Sequence, residues 1–229
     1  MVVSTKSKDV MNTEMHFSTP IYRIEKPEFL NSAIKATDKF IKEAYNRKSD
    51  ELKKRKKFLG PQAYKKVKDH GMSYHSTPIN GDPGLKDLEQ YIGATSYNLM
   101  TEWGYDIEKY QMYFTEFWVQ EFSKNGGGHH STHVHWDNHI SGFYFLKCSD
   151  KTSYPIFHDP RPGALMTKLP LEQSKEIKMG SSSINFKIQP GTFIFFPGYL
   201  THEFPIDLGI DPFRFIHFNV QAVHSDITK

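Results

Sequence analysis

The chain has 229 residues, a formal net charge of +3 at pH 7, and 38% hydrophobic residues. This length fits one large domain whose core needs no disulfide, and a single cysteine, Cys148, excludes a disulfide within the chain. No apolar run is long enough to span a membrane, and the first residues lack the apolar core of a secretory signal. We therefore expect a cytoplasmic protein with no membrane partner.

The N-terminal half of the sequence predicts one strand and two helices. Residues 1–15 are expected to be disordered, and residues 17–24 are expected to form a strand. Apolar residues spaced by three and four predict a helix from about residue 28 to 45 and a second helix over 85–103. Residues 60–83, rich in Gly, Pro and polar residues, predict a long loop.

A basic run, KKRKK, occupies residues 53–57. No aromatic residues are interleaved with it, as they are in many nucleic-acid surfaces. We therefore interpret it as a solvated helix end or loop, and we expect no nucleic-acid partner.

After residue 105 the sequence changes to short segments rich in β-branched and aromatic residues. Several short strands after two helices predict a mainly β domain with the helices packed outside it. We expect a single domain over 16–229, with helical support over 16–104 and a β core over 105–229. The predicted strands lie near 110–122, 132–137, 140–148, 154–158, 183–188, 192–197 and 213–222.

The segment THVHWDNH, residues 132–139, holds the densest group of potential metal ligands. In an extended strand, residues i and i+2 point to one face, so His133, His135 and Asp137 would share a face. One interpretation is a binuclear zinc hydrolase, since metallo-β-lactamase-like enzymes carry a similar H-x-H-x-D-H motif. Against it, Asn138 stands in place of the final His, and the C-terminal half shows no alternating helices.

The second interpretation is a non-haem Fe(II) oxygenase, whose facial triad combines two neighbouring ligands with one distal His. An apolar strand that ends at Pro197-Gly198 would deliver His202 as the distal ligand. Arg214 begins a later apolar strand, and a buried Arg needs a partner. Its planar guanidinium suits a dicarboxylate such as 2-oxoglutarate.

Taken in order along the chain, these motifs resemble the Fe(II)/2-oxoglutarate-dependent oxygenases. The matching pieces are H-x-H/D, SGFYFL at 141–146, DPR at 159–161, PGTFIFFP-x-x-L-x-H at 190–202, and R-F-x-x-x-N at 214–219. They are most similar to the prolyl-hydroxylase-like family with an H-x-H-P-N/H-S…S-G-x-Y-Y signature. The resemblance implies a double-stranded β-helix (jelly roll), Fe(II) and 2-oxoglutarate as cofactors, and hydroxylation by O₂ with release of succinate and CO₂.

The resemblance leaves the proximal ligand pair open. The superfamily's H-x-D/E fits His135 and Asp137, the nearer family's H-x-H fits His133 and His135, and His202 completes either set. We favour the metal set His135, Asp137 and His202, because one carboxylate together with Arg214 balances the charge of Fe(II) and 2-oxoglutarate. His133 and Asp137 would lie about 13 Å apart on a straight strand, so both cannot bind one ion unless the strand bends.

Further residues receive roles through the same resemblance. Arg214 and Tyr144 are expected to bind the far carboxylate of 2-oxoglutarate, with a plain core aromatic as the alternative for Tyr144. Arg161 and Trp136 are candidate substrate contacts, and the substrate would be a peptide side chain or a small molecule. A catalytically silent jelly-roll binding module stays open as an alternative to the oxygenase.

Four polar residues near these motifs are expected to have no role in the site. His217 and Asn219 share the strand face opposite Arg214, where ordinary sheet packing accounts for them. His129 and His130 follow three glycines and are expected to form a flexible loop at the mouth of the pocket.

Overall fold

The computed structural model describes residues 10, 12, 14–163, 166, 169–170 and 176–227. The predicted disorder of residues 1–15 therefore stays a prediction, because eleven of these fifteen residues lie outside the described residues. Three α-helices are present in that part of the chain: α1 (Leu30–Arg47), α2 (Ser49–Val67) and α3 (Lys86–Glu102). None of the helices in the described ranges is long and apolar enough to cross a membrane.

The predicted helices at about 28–45 and 85–103 are confirmed as α1 and α3. The predicted loop over 60–83 begins too early, because α2 continues to Val67. Gly60 interrupts this helix with a φ of 74°, and Pro61 then restarts it, since a proline is well tolerated in the first turn of a helix. The basic run over 53–57 lies inside α2 and not at a helix end or in a loop, although four of its five residues are exposed as expected.

Two antiparallel sheets form the β part of the described chain. The larger sheet has the order β1-β8-β5-β10-β3-β2, and the smaller sheet has the order β4-β9-β6-β7. The strands are β1 (Tyr22–Glu25), β2 (Ser73–His75), β3 (Tyr110–Phe122), β4 (His130–His133), β5 (Ile140–Lys147), β6 (Ile156–His158), β7 (Ser183–Asn185), β8 (Thr192–Pro197), β9 (His202–Phe204) and β10 (Arg214–His224).

An aromatic core fills the space between the two sheets. Phe204 of β9 packs on Phe215 of β10, with ring centroids 4.8 Å apart, and on Phe143 of β5 at 5.0 Å. A second core lies between the larger sheet and helices α1 and α3, and it includes Val119, Phe193 and Phe218. This arrangement confirms the predicted jelly roll with flanking N-terminal helices. The expected single domain over 16–229 stays a prediction.

Because the larger sheet is covered on both faces, its central strands are buried along almost their whole length. Alternate residues of β5 and β10 therefore enter different cores, one between the sheets and one beneath the helices. The α/β layering that a binuclear zinc hydrolase requires is not seen among the described residues, where every strand pairing is antiparallel.

Some predicted strand boundaries differ from those observed. The first strand begins at Tyr22 and not at residue 17, and the strand predicted over 132–137 ends at His133. The short strands β2 and β9 lie outside the predicted strand segments. The early end of β4 matters most, because it determines where the candidate metal ligands point.

Candidate metal site

Three histidines converge where β4 and β9 meet. His133, the last residue of β4, is paired in register with His202, the first residue of β9. His135 follows two residues later, and its backbone N–H donates to the carbonyl of Gly198 at 3.2 Å. The ring centroids of His133 and His202 are 4.4 Å apart, and the potential ligand atoms of all three histidines lie within 4.8 Å of one another.

Backbone carbonyls fix the protonation of two of these rings. His133 Nδ1 lies 2.6 Å from the carbonyl oxygen of Ser131, and His202 Nδ1 lies 2.9 Å from that of Leu200. Because a carbonyl oxygen only accepts hydrogen bonds, each Nδ1 must carry the proton. In this tautomer each ring presents the lone pair of Nε2, the arrangement that metal-binding histidines usually show.

Two of the Nε2 atoms lack the partners that buried polar atoms normally have. His135 Nε2 and His202 Nε2 are both buried, and neither has a hydrogen-bond partner among the described residues. Burial lowers the pKa of His202 to about 2 and that of His135 to about 3, so both rings are neutral at pH 7. Neutral imidazoles with unpartnered nitrogens fit a divalent metal ion, which these two residues would help to hold.

The structure does not bring Asp137 into this group. Trp136 and Asp137 form a bend after β4 ends, so the alternation expected of a straight strand does not reach position 137. The Asp137 residue is exposed and belongs to neither group of converging ligands found in the described part of the chain. Of the two predicted registers, the geometry therefore assembles His133, His135 and His202.

The two residues expected to bind 2-oxoglutarate face away from the histidines. Arg214 is 4% exposed, and its guanidinium donates to Glu121 at 2.6 Å and to Asp38 of α1 at 2.5 Å. The hydroxyl of Tyr144 donates to the carbonyl of Lys26 at 2.8 Å, within the core beneath the helices. Both side chains leave the sheet on its helix side, so the structure does not place either of them beside the histidines, and Tyr144 occupies the position of a core aromatic, the alternative expected for it.

The two candidate substrate contacts lie at different openings of the fold. Trp136 is 88% exposed and lines a cavity next to His135, together with Tyr199. Arg161 forms an ion pair with Asp159 at 2.7 Å and lines a separate cavity beside β6. The structure therefore places Trp136, and not Arg161, next to a histidine of the group.

Three residues next to the histidine group were not assigned to it from the sequence. His217, 1% exposed, stacks on His135 with ring centroids 4.7 Å apart and an interplanar angle of 28°. Asn219 Nδ2 lies 3.0 Å from His135 Nδ1 and 3.0 Å from Glu116 Oε2. Strand alternation could have indicated two of them. Residues 217 and 219 lie an odd number of positions after Arg214, so when Arg214 faces the helices they face the space between the sheets.

His130 is likewise nearer the site than predicted. It begins β4 and does not form a loop at the pocket mouth, and its Nε2 pairs with Gln120 Oε1 at 2.7 Å. Its ring lies 6.0 Å from that of His133 and packs against Phe204 and Phe215. His130 thus forms part of the wall beside the three histidines.

Comparison with known proteins identifies a family over the segment that carries this site. Residues 116–210, less than half of the chain, match the model of a family described as "Putative 2OG-Fe(II) oxygenase". The segment contains all three histidines and ends before Arg214. Over these residues the match agrees with the predicted superfamily of 2-oxoglutarate-dependent oxygenases, whose cofactors are Fe(II) and 2-oxoglutarate. No curated protein matches the sequence significantly.

Three solved structures resemble the fold at low sequence identity. A prolyl-4-hydroxylase of Pseudomonas putida has a TM-score of 0.48 at 11% identity, over 88% of this chain and 93% of that one. A prolyl hydroxylase of Trichoplax adhaerens, solved with a hypoxia inducible factor peptide, has a TM-score of 0.47 at 9% identity, over 87% of this chain and 83% of that one. A 2OG-Fe(II) oxygenase family oxidoreductase of Burkholderia pseudomallei has 0.41 at 10% identity, over 61% of this chain and 58% of that one.

Proposed function

Because residues 116–210 match a 2OG-Fe(II) oxygenase family, we propose that the protein binds Fe(II) through His133, His135 and His202. With 2-oxoglutarate and O₂ it would hydroxylate a substrate and release succinate and CO₂. The observation that carries this proposal is the convergence of three imidazoles, two of which bury an Nε2 atom with no partner in the described chain. The bound Fe(II) and 2-oxoglutarate would supply the oxygen chemistry that side chains cannot.

Charge supports His133 over Asp137 as the third ligand. Three neutral histidines leave the two positive charges of Fe(II) to be balanced by the two negative charges of 2-oxoglutarate. An aspartate ligand would leave one negative charge in excess, and Arg214 cannot compensate for it, because its guanidinium already pairs with Glu121 on the helix side. An uncompensated buried charge is costly, so the three-histidine set suits a dianionic cosubstrate.

The aromatic surroundings of His202 keep water away from this side of the site. The rings of Phe196, Phe143 and Phe157 lie 4.8, 5.7 and 6.1 Å from that of His202. In such a low-dielectric environment, interactions between the ion and its ligands are stronger than in water. These residues would therefore fix the ring orientation and exclude bulk water from the ligand.

We place the approach of the substrate on the side of Trp136. A cavity of about 400 Å³ lined by Trp103, Trp136 and Tyr199 reaches His135. Trp136 and Tyr199 expose 88% and 59% of their surface, and such exposed rings offer apolar contact area to a bound group. A peptide side chain or a small molecule would reach the metal by this route.

The proposal is tested by anaerobic titration of the protein with Fe(II), with and without 2-oxoglutarate. We expect the visible charge-transfer band of the Fe(II)–2-oxoglutarate chelate in the wild type, and succinate formation once O₂ is admitted. His202→Ala should abolish the band, and absence of the band from the wild type would refute the proposal.

The ligand register is tested in the same titration with two single variants. We expect His133→Ala to weaken Fe(II) binding by at least about tenfold, and Asp137→Asn to change it by less than about threefold, since one removes a ligand and the other an exposed carboxylate. The opposite ranking of the two variants would restore Asp137 as the third ligand.

A further inference from the structure

A second group of potential ligands adjoins the three histidines and contains a carboxylate. Glu116 of β3, His217 of β10 and His135 place their ligand atoms within 4.8 Å of one another. Two histidines and one carboxylate form the donor set that many non-haem Fe(II) proteins use. From this geometry we propose that Glu116, His135 and His217 form a second position for a divalent cation, which shares His135 with the three-histidine set.

His217 provides the strongest reason to expect a ligand here. Its side chain is 1% exposed, and neither Nδ1 nor Nε2 has a hydrogen-bond partner among the described residues. Nε2 nevertheless lies 3.2 Å from Glu116 Oε2. These two atoms are close but their geometry falls outside that of a hydrogen bond, so they are positioned like neighbouring ligands of one ion, and the buried Nδ1 has no partner among the described residues, which is costly.

Glu116 has the properties of a ligating carboxylate. Its Oε2 lies 3.2 Å from His217 Nε2 and 3.9 Å from His135 Nδ1. Its Oε2 also accepts from Trp118 Nε1 at 3.3 Å and from Asn219 Nδ2 at 3.0 Å, as carboxylates that bind metals commonly do. Its side chain is 45% exposed, and it lines a cavity of about 310 Å³ beside Asp137 and Trp136 that gives a cation a route to the group.

The protonation of His135 makes the two positions alternatives. A carboxylate only accepts, so the amide nitrogen of Asn219 must face Glu116, and that same nitrogen lies 3.0 Å from His135 Nδ1. This contact favours a lone pair on Nδ1, which lies 3.9 Å from Glu116 Oε2. A neutral imidazole has one lone pair for ligation, so His135 serves the three-histidine set through Nε2 or the second set through Nδ1, one at a time.

The test is a double-mutant cycle on Co(II) binding without 2-oxoglutarate, because Co(II) reports its ligand set in its visible spectrum. The wild type should bind one Co(II) per chain, and Glu116→Gln alone should change its affinity by no more than about twofold. His133→Ala breaks the three-histidine set, so this variant should still bind one weaker Co(II) with a changed spectrum. Adding Glu116→Gln, or His217→Phe, to His133→Ala should then lower the affinity by at least a further tenfold or so.

Glu203→Gln in the same His133→Ala background is the matched control. Glu203 also lies beside a histidine, with His158 Nε2 at 3.6 Å, but it belongs to neither ligand set, so it should leave Co(II) binding unchanged. Far-UV circular dichroism and the urea midpoint of each variant report whether it is folded. The three-histidine set is disrupted by replacing His133, because this residue is partly exposed and its removal does not take a buried side chain out of the core.

Two results would overturn the second position. One is complete loss of Co(II) binding in a folded His133→Ala variant. The other is an equal effect of Glu116→Gln in the wild type and in the His133→Ala background, which would mean that Glu116 acts only by orienting His135. Because this assay contains no 2-oxoglutarate, the second position can fail while the oxygenase proposal stands, and the reverse also holds.

Discussion

Replacement of Arg214 by methionine separates a structural role of this residue from a role in binding 2-oxoglutarate. Its guanidinium bonds to Glu121, and both side chains are buried, with 5% and 6% exposure. Removal of one partner of a buried ion pair typically costs about 3–5 kcal/mol, because the other charge stays buried without compensation. Lys147 Nζ lies 3.9 Å from Glu121 and offsets part of that cost, while Asp38 contributes little because it is 59% exposed.

We therefore expect Arg214→Met to lower the free energy of unfolding by about 3 kcal/mol, which corresponds to roughly 6–12 °C in Tm for a protein of this size. Urea unfolding followed by circular dichroism measures the loss. The double variant Arg214→Met/Glu121→Met removes both charges and should recover most of it, to within about 1 kcal/mol of the wild type. The affinity of each folded variant for 2-oxoglutarate in the presence of Fe(II) should equal that of the wild type.

The reasoning is refuted if Arg214→Met leaves the stability unchanged and weakens 2-oxoglutarate binding tenfold or more. That result would mean that Arg214 turns toward the space between the sheets when the cosubstrate binds. It would also restore the charge argument for an aspartate ligand.

Three further variants probe the same division of the larger sheet into two faces. Tyr144→Phe should cost about 1 kcal/mol in urea unfolding through the lost hydrogen bond to Lys26 and should leave 2-oxoglutarate affinity intact; a weaker affinity would place its hydroxyl in the site. Gly142→Ala should cost about 1–3 kcal/mol, because the added methyl would collide with the ring of Phe218; a wild-type urea midpoint would contradict this close approach. Trp136→Ala should leave the stability within about 0.5 kcal/mol, and a larger loss would show that its ring packs in the folded protein.

Strand alternation explains why the sequence could place the candidate metal ligands more easily than the candidate cofactor contacts. His202 could be placed because a strand, a Pro-Gly pair and a histidine follow one another closely in the chain. The orientation of Arg214 and Tyr144 depends on which face of their strands each side chain occupies. Strands β5 and β10 are buried on both faces for most of their length, so their hydrophobic residues show no alternation from which the face could be inferred.

The same lack of alternation in β10 explains why the sequence did not indicate the second group of potential ligands. His217 and Asn219 were correctly grouped on the face opposite Arg214, but that face was interpreted as ordinary packing. The observed partners of Arg214, Glu121 and Asp38, lie on β3 and α1, and only their position shows that this arginine belongs to the helix side. Once that is known, alternation alone directs His217 toward His135.

The sequence by itself predicted the mainly β fold with its N-terminal helices, the resemblance to 2-oxoglutarate-dependent oxygenases, and a short set of candidate ligands of which His135 and His202 were common to both registers. The tertiary structure brings His133, and not Asp137, next to His135 and His202, because β4 ends at His133 and the bend at Trp136 and Asp137 leaves Asp137 exposed. The pairing of His133 with His202 and the backbone contact of His135 to Gly198 hold the chain just before this bend. Such contacts between distant parts of the chain leave no periodic pattern in the local sequence.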